Sequence, residues 1–236
     1  MRKLTFIFII VFASIINVAA QVQAAKQAFD KGTQAAQLKD YERAIEQYRK
    51  AIVFSQDETA NDEFLARIHF NKGVCLYHLK RFDEAVSEFT KSIKLSKENY
   101  QKAFYALGMA HNELKDWKAA IAAFREALNL KKDDGEAWFD LALALLETKD
   151  FEAAEKAFEN AIKYKSVAYA DAHNNIGVIL ALKGDIDSAE NKFKTALQES
   201  NGKSVEAQNN LKFCESYKQS FNQTLLAQLN FVRYRE

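Results

Sequence analysis

The feature that most constrains the fold of this chain is a pattern of small and aromatic residues that occurs five times. Each copy is anchored on a small residue, at Gly32, Gly73, Gly108, Ala142 and Gly177, so the spacings are 41, 35, 34 and 35 residues. An alanine stands twelve residues after each anchor, at Ala44, Ala85, Ala120, Ala154 and Ala189. An aromatic residue stands sixteen residues after it, at Tyr48, Phe89, Phe124, Phe158 and Phe193. A repeated period of this length predicts an array of stacked structural repeats.

Each copy contains two predicted helices. Within a copy, apolar residues recur three and four positions apart, as they do on one face of a helix. A short polar turn separates the two helices, at Lys39-Asp40, Lys80-Arg81, Lys115-Asp116, Lys149-Asp150 and Gly184-Asp185. The chain has no proline and only seven glycines, a composition that favours helices over β-turns. Because one helix pair cannot bury its own apolar face, the copies are expected to stack.

The period and the order of these columns closely resemble the tetratricopeptide repeat. The stretch FYALGMAHNELKDWKAAIAAFREALNL (Phe104 to Leu130) is a strong match, and HFNKGVCLYHLKRFDEAVSEFTKSIKL (His69 to Leu95) is nearly as close. Trp138 stands at the family's large aromatic column, whereas the family's proline between repeats is missing throughout. The resemblance implies an all-α, right-handed α-solenoid within residues 21–200. Its five helix pairs would span about residues 25–58, 66–100, 101–134, 135–169 and 170–203.

The N-terminal residues have a different composition. Arg2 and Lys3 precede an apolar run over residues 4–20, and small residues stand before Gln21. This order is typical of a signal peptide, so residues 1–20 are predicted to be removed by cleavage after Ala20. The alternative is that residues 4–20 are retained as a membrane anchor, although this run is at the short limit for a membrane span.

Two further segments depart from the repeat. The first spacing contains about seven extra residues around DETANDEFLA, which predicts a long loop with Asn61 as the N-cap of the next helix. At the other end, residues 204–236 carry apolar residues with helical spacing, at Leu211, Cys214, Tyr217, Phe221, Leu225, Leu229 and Val232. This segment is predicted to form one or two amphipathic helices that cap the last repeat.

The resemblance also indicates where a ligand would bind. In tetratricopeptide arrays the first helix of each pair lines a concave groove. The positions three residues before and one after each anchor give an apolar lining, at Phe29, Phe70, Val74, Tyr105, Met109, Phe139, Leu143 and Val178. Charged residues six before each anchor give its rim, at Lys26, Arg67, Lys102, Glu136 and Asp171. The apolar side chains would bind an apolar, aromatic or helical segment of a partner, or else pack against each other or an adjacent helix.

The remaining composition excludes several classes of function. The 33 basic and 32 acidic residues nearly balance, which argues against a nucleic-acid ligand. Phosphate-binding loops, nucleophile elbows and zinc-ligand spacings are absent from the sequence. We therefore expect no enzymatic activity, no cofactor and no metal. Cys75 and Cys214 lie in distant repeats, which argues against a disulfide.

The sequence thus predicts an exported, non-enzymatic scaffold whose partner is another protein or peptide. Because the chain is poor in cysteine, a bacterial periplasm or cell envelope is the expected location, with secretion or membrane anchoring as alternatives. If residues 4–20 are retained, the chain would instead be a membrane-tethered assembly factor of an envelope complex, and only then would it contact a membrane.

Overall fold

The structure is a computed structural model that describes residues 2–55 and 61–220, together with Leu229 and Phe231. The side chains of residues 2–17, 219 and 220 are not described. The helices are α1 (Arg2–Gln37), α2 (Tyr41–Phe54), α3 (Asp62–His78), α4 (Phe82–Leu95), α5 (Gln101–Glu113), α6 (Trp117–Leu130), α7 (Gly135–Glu147), α8 (Phe151–Lys163), α9 (Tyr169–Leu182), α10 (Ile186–Glu199) and α11 (Val205–Ser220). The described part of the chain contains no strand. The predicted all-α fold is confirmed.

The turn inside each helix pair is built in the same way every time. A residue with positive φ ends the first helix, at Lys39, Lys80, Lys115, Lys149 and Gly184. In the first turn, Lys39 N–H donates to Ala36 and Asp40 N–H donates to Ala35, which is the Schellman arrangement of a helix C-terminus. An aspartate side chain then caps the second helix in four of the five pairs, at Asp40, Asp116, Asp150 and Asp185. These two local devices reverse the chain within two or three residues.

The chain divides into two compact units, residues 1–115 and 116–236. In the first unit, α1 packs on α2 and α3 on α4, and contacts between α2 and α3 and between α4 and α5 join the pairs. Its core includes the fully buried rings of Tyr48 and Phe89. In the second unit, consecutive helices from α6 to α11 contact each other, and α11 also touches α9. Phe158 and Phe193 are fully buried there.

The small and aromatic columns of the repeat are buried, and within the units the pairs α1–α2, α3–α4, α7–α8 and α9–α10 pack on each other. All five alanines of the twelve-residue column are 0% exposed, and the five aromatic residues are at most 1% exposed. A Cβ atom added to Gly73 would lie 2.6 Å from Phe89 Cε1, and one added to Gly177 would lie 2.6 Å from Phe193 Cε1. At these glycine anchors an added side chain would therefore collide with the aromatic ring that follows by sixteen positions, whereas the fourth copy accommodates Ala142 as its anchor.

The terminal segments are only partly described. Helix α1 runs without interruption from Arg2 to Gln37, so the predicted signal peptide and the first helix of the first repeat belong to one element. Within the described residues, none of the helices has both the length and the apolar character that a membrane span requires. Asn61 caps α3 as predicted, its side chain accepting from Glu63 N–H at 2.9 Å, while residues 56–60 of the predicted loop lie outside the described residues. The predicted C-terminal helix is seen as α11, but its continuation over residues 221–228 also lies outside them.

Candidate partner-binding surface

Four of the predicted groove residues are half-buried on two helices of the first unit. Phe70 and Val74 lie one turn apart on α3, and Tyr105 and Met109 lie one turn apart on α5. Residues four apart share a helix face, so each pair presents one apolar patch. The fifth predicted groove residue of this unit, Phe29 on α1, is buried with 8% exposure. The surface that a partner can reach in this unit is therefore smaller than the sequence predicted. It consists of Phe70, Val74, Tyr105 and Met109, which we call the α3–α5 patch.

Aromatic contacts hold the side chains around this patch in place. The ring of Phe70 lies 5.0 Å from that of Tyr100, centroid to centroid, in a tilted arrangement. Phe29 meets Phe64 edge-on at 5.4 Å, and the guanidinium carbon of Arg67 lies 5.3 Å from the centre of the Phe29 ring. Tilted and edge-on aromatic pairs and cation–π contacts at these distances are favourable. A partner would thus meet a surface whose aromatic groups are already oriented.

Two clefts in the first unit share Arg67 in their walls. The larger, of about 640 Å³, is mostly polar, with Asn61, Asp62, Glu63, Ala66, Arg67, Leu95, Ser96, Lys97, Asn99 and Tyr100 as its lining. The smaller, of about 430 Å³, is lined by Val22, Ala25, Lys26, Phe54, Ser55, Asn61, Glu63, Phe64 and Arg67. Two of the predicted rim residues, Lys26 and Arg67, therefore face one cleft that also contains apolar side chains.

The predicted rim residues of the first unit are exposed cations. Lys26, Arg67 and Lys102 are exposed, and within the described residues none of the three takes part in a salt bridge. Surface cations attract acidic partners and raise the association rate. The rim residues of this unit thus favour an acidic flank on whatever segment binds the patch.

A buried carboxylate organises the opposite side of α3. Glu88 on α4 is 5% exposed, and its oxygens lie 2.6 Å from His69 Nδ1, 2.9 Å from Lys91 Nζ and 3.2 Å from Lys72 Nζ. Burial alone would raise the pKa of Glu88, but the hydrogen bonds from His69 and Lys91 and the charge of Lys72 outweigh it and lower the pKa to about 2. The carboxylate is therefore ionised at neutral pH and ties α3 to α4. Sequence analysis missed it, because an acidic residue in an amphipathic helix is ordinarily solvated.

The predicted groove residues of the second unit are buried. Phe139 is 1%, Leu143 4% and Val178 1% exposed, and Phe139 packs edge-on against Phe158 at 5.5 Å. For these three residues the packing alternative describes the structure, because a partner can contact only side chains that reach the surface. Their burial depends on the residues around them, which the repeat columns alone do not specify.

The acidic rim predicted for the second unit is partly occupied by local contacts. Oε1 of Glu136 accepts hydrogen bonds from Ser166 Oγ at 3.0 Å and from Val167 N–H at 2.7 Å. Glu136 therefore fixes the turn before α9. Asp171, in the first turn of α9, is half-buried. The basic rim residues predicted for the first unit are thus exposed, whereas the two acidic rim residues predicted for the second unit are half-buried.

Several residues that shape the candidate surface were not predicted. Val22, Phe54, Phe64 and Tyr100 line the two clefts, but none occupies a groove column of the repeat. Phe54 and Phe64 lie at or near the extra residues of the first spacing. The break in the period was therefore the sequence feature that could have indicated their role.

Metal-binding and reactive side chains are a separate class of candidate site. The described residues contain no group of three or more His, Cys, Asp or Glu side chains arranged to hold a metal ion. Cys75 and Cys214 are free and buried, and burial raises the pKa of each thiol to about 11.

These observations define a class: an array of helix pairs that offers side chains on the first helices for contact with another macromolecule. Sequence models of the tetratricopeptide repeat match residues 29–55, 66–133, 105–163 and 139–204. The chain belongs to the tetratricopeptide repeat family. Proteins of this family generally act as protein-interaction scaffolds, and that is the class in which the family places this chain.

Solved structures show the same fold at low sequence identity. The crystal structure of MamA protein has a TM-score of 0.68 and 23% identity, over 77% of this chain and 94% of that one. MamA from Desulfovibrio magneticus RS-1 has a TM-score of 0.67 and 19% identity, over 77% and 98%. YrrB, described as a TPR protein with an unusual peptide-binding site, has a TM-score of 0.63 and 22% identity, over 81% and 90%. No curated protein sequence matches this chain significantly.

Proposed function

We propose that this chain is an exported, non-enzymatic scaffold that binds an apolar, aromatic or helical segment of a partner protein on the α3–α5 patch. The observation that carries the proposal is the combination of Phe70, Val74, Tyr105 and Met109, all half-buried, with Lys26, Arg67 and Lys102, which are exposed cations. The favoured ligand is an amphipathic segment with two or three large apolar side chains and an acidic flank.

The size of the patch suits a partner of low affinity. Full burial of a large apolar side chain contributes about 1.5–3 kcal/mol, and association itself costs several kcal/mol in lost freedom of motion. Two or three buried side chains therefore support by themselves a dissociation constant of about 0.1–1 mM at best, and tighter binding would require further contacts from the partner's own side chains. The basic rim would mainly set orientation and association rate, so salt should weaken the complex only modestly.

The similarity to YrrB supports a peptide ligand without identifying it. That protein is described as having a peptide-binding site, and its fold matches this one over 81% of this chain, which supports a peptide as the class of ligand. The identity of the partner is set by the side chains of the patch and rim, which differ between arrays of the same fold.

The test is affinity capture from the native envelope with two variants compared. Tyr105→Ala combined with Met109→Ala removes half of the α3–α5 patch and should abolish capture of the partner. Leu114→Ala is the matched control, because Leu114 follows the same helix and is 37% exposed, and it should capture as wild type does. The proposal fails if the double variant still captures the same proteins. A fall in its melting midpoint would show that these side chains serve packing instead.

Export is tested separately by the mass of the native protein. Cleavage after Ala20 would leave Gln21 as the first residue, and location in a bacterial periplasm or envelope, or secretion, would follow. A native chain that retains Met1 would contradict cleavage and favour the membrane-tethered assembly factor, with residues 4–20 as its anchor.

A further inference from the structure

The second unit contains an apolar cluster at its C-terminal end. Val178, Ile186, Phe193 and Cys214 are among its buried members. Leu180, Leu211 and Tyr217 are half-buried around it. The cluster joins α9, α10 and α11 and therefore lies where the last tetratricopeptide pair meets the capping helix.

Two residues from beyond α11 also pack on this cluster. Leu229 and Phe231 are half-buried against it, and neither lies in a helix. Both follow Ser220, the last residue of α11, by about ten positions. Because both residues lie beyond the five repeats, the contact is made by a part of the chain outside the repeat array.

One member of the cluster, Val178, is also a predicted groove residue. Its burial at 1% occurs in a cluster against which the chain's own Leu229 and Phe231 pack. The cluster therefore already holds two large apolar side chains from a segment outside the repeat pattern, which is the kind of ligand that a tetratricopeptide groove would take from a partner.

We propose that this cluster is a second peptide-binding site, filled in cis by the segment that contains Leu229 and Phe231. The ligand class is a short segment with two large apolar side chains two positions apart. The proposal involves residues of the second unit only, so it stands or falls independently of the α3–α5 patch.

Attachment in the same chain gives the segment an advantage over any free competitor. A tethered ligand has an effective concentration of about millimolar for a short flexible linker. A free peptide of the same sequence at micromolar concentration will therefore not displace it. Weakening the tethered segment should open the site to that peptide.

The test uses a labelled peptide of residues 225–236, LLAQLNFVRYRE, and the full chain. The variant Leu229→Ala with Phe231→Ala should bind this peptide at least about tenfold more tightly than wild type, a difference of about 1.4 kcal/mol. A peptide with alanine at the two positions should not bind. Val205→Ala is the matched protein control, because Val205 is an apolar residue of α11 with 60% exposure, and it should behave as wild type does.

Thiol labelling provides a second readout inside the same molecules. Cys214 is 2% exposed within the cluster, and Cys75 is 1% exposed in the first unit. In the double variant, Cys214 should label faster while Cys75 stays protected. If both cysteines label, the variant has unfolded, and the single change Phe231→Ala replaces it under the same criteria. Equal peptide binding by variant and wild type, or a Cys214 that stays protected in a folded variant, overturns the proposal.

Discussion

Four lysines in the turns inside the helix pairs have a backbone conformation that side chains disfavour. Lys39, Lys80, Lys115 and Lys149 have φ between 59° and 61°, and the fifth equivalent position is Gly184 with φ 89°. A residue with a Cβ atom in this region loses roughly 1–2 kcal/mol relative to its usual conformation. The helix-ending hydrogen bonds outweigh this strain at each turn. Glycine at these four positions would avoid this strain.

Replacing Lys149 with glycine should stabilise the protein. Glycine adopts positive φ without strain, although it also gains freedom in the unfolded chain, so the net gain should be about 0.5–1 kcal/mol in the free energy of unfolding. Urea unfolding at pH 7 measures this value. The reciprocal change Gly184→Ala should lower stability by a similar amount, and no atom lies within 4 Å of the added Cβ to obscure the result. Equal stabilities would contradict the role of φ at these turns.

Glu88 should make the protein sensitive to acid. Its folded pKa of about 2 lies below the ordinary value of 4.5, so the carboxylate stabilises the fold fully above pH 4.5. This contribution is lost as the pH falls from 4.5 toward 2, and one pKa unit corresponds to about 1.4 kcal/mol. Wild type should therefore lose on the order of 2–3 kcal/mol over that range through this group.

The variant Glu88→Gln isolates the contribution of that carboxylate. It should be less stable than wild type at neutral pH, because His69 and Lys72 lose their charged partner, but its stability should change less between pH 4.5 and 2.5. Glu152→Gln is the control, since Glu152 pairs with Lys156 on an exposed helix face and such pairs contribute little. A parallel pH dependence in wild type and Glu88→Gln would show that other carboxylates govern acid unfolding.

At the scale of the helix pair, close approach of two helices depends on the anchor glycine and its aromatic partner. In the second pair, Gly73 on α3 leaves the space that the Phe89 ring fills from α4. The same geometry occurs between Gly32 and Tyr48 in the first pair. The glycine and the aromatic ring are therefore in direct contact, and substitutions at the two positions should have non-additive effects on stability.

Gly73→Ala should destabilise the protein even though alanine is the better helix former. The added methyl would meet the Phe89 ring at 2.6 Å, and overpacking of this kind costs about 1–3 kcal/mol, against a gain of about 1 kcal/mol in helix propensity. Adding Phe89→Leu should relieve part of the collision. A double-mutant cycle by urea unfolding should then give a coupling energy of at least about 0.5 kcal/mol. Strict additivity would mean that the two residues do not pack as described.

The helix pairs were predictable from sequence, whereas the exposed surface was predictable only in part. Ala85 and Phe89 recur at fixed offsets because each pair repeats the same packing, so their burial follows from the period. Phe70 and Phe139 occupy the same column, yet one is half-buried and the other buried. Their exposure depends on neighbours that differ between repeats.

Contacts made by segments outside the period were predictable only in part. The helical spacing of residues 204–236 predicted a cap on the last repeat, and Leu211, Cys214 and Tyr217 of α11 do pack there. Phe64 borders the extra residues of the first spacing, and Leu229 and Phe231 follow the last repeat. The sequence identified Leu229 as part of an amphipathic helix, but in the structure it lies outside any helix. No repeat position dictates where such a segment packs, because its partner surface is formed only when the array is folded.

At the scale of the whole molecule, the folded array should begin after the predicted cleavage site. Ala19 and Ala20 are exposed, and the first buried side chains of α1 within the described residues are Ala25, Ala28 and Phe29. Phe29 also packs on Tyr48 and Phe64 of the first unit. Removal of residues 1–20 therefore leaves this core intact, and the melting midpoint of the chain 21–236 should equal that of the full chain.

Removal of residues 1–29 is the matched comparison, because it deletes two buried alanines and a buried ring. Loss of a buried Phe alone costs about 3–5 kcal/mol. Thermal unfolding followed by circular dichroism should show a lower midpoint for that shorter chain. If removal of residues 1–20 lowers the midpoint as much as removal of residues 1–29, the leading segment is part of the folded array and cannot be a dispensable targeting signal.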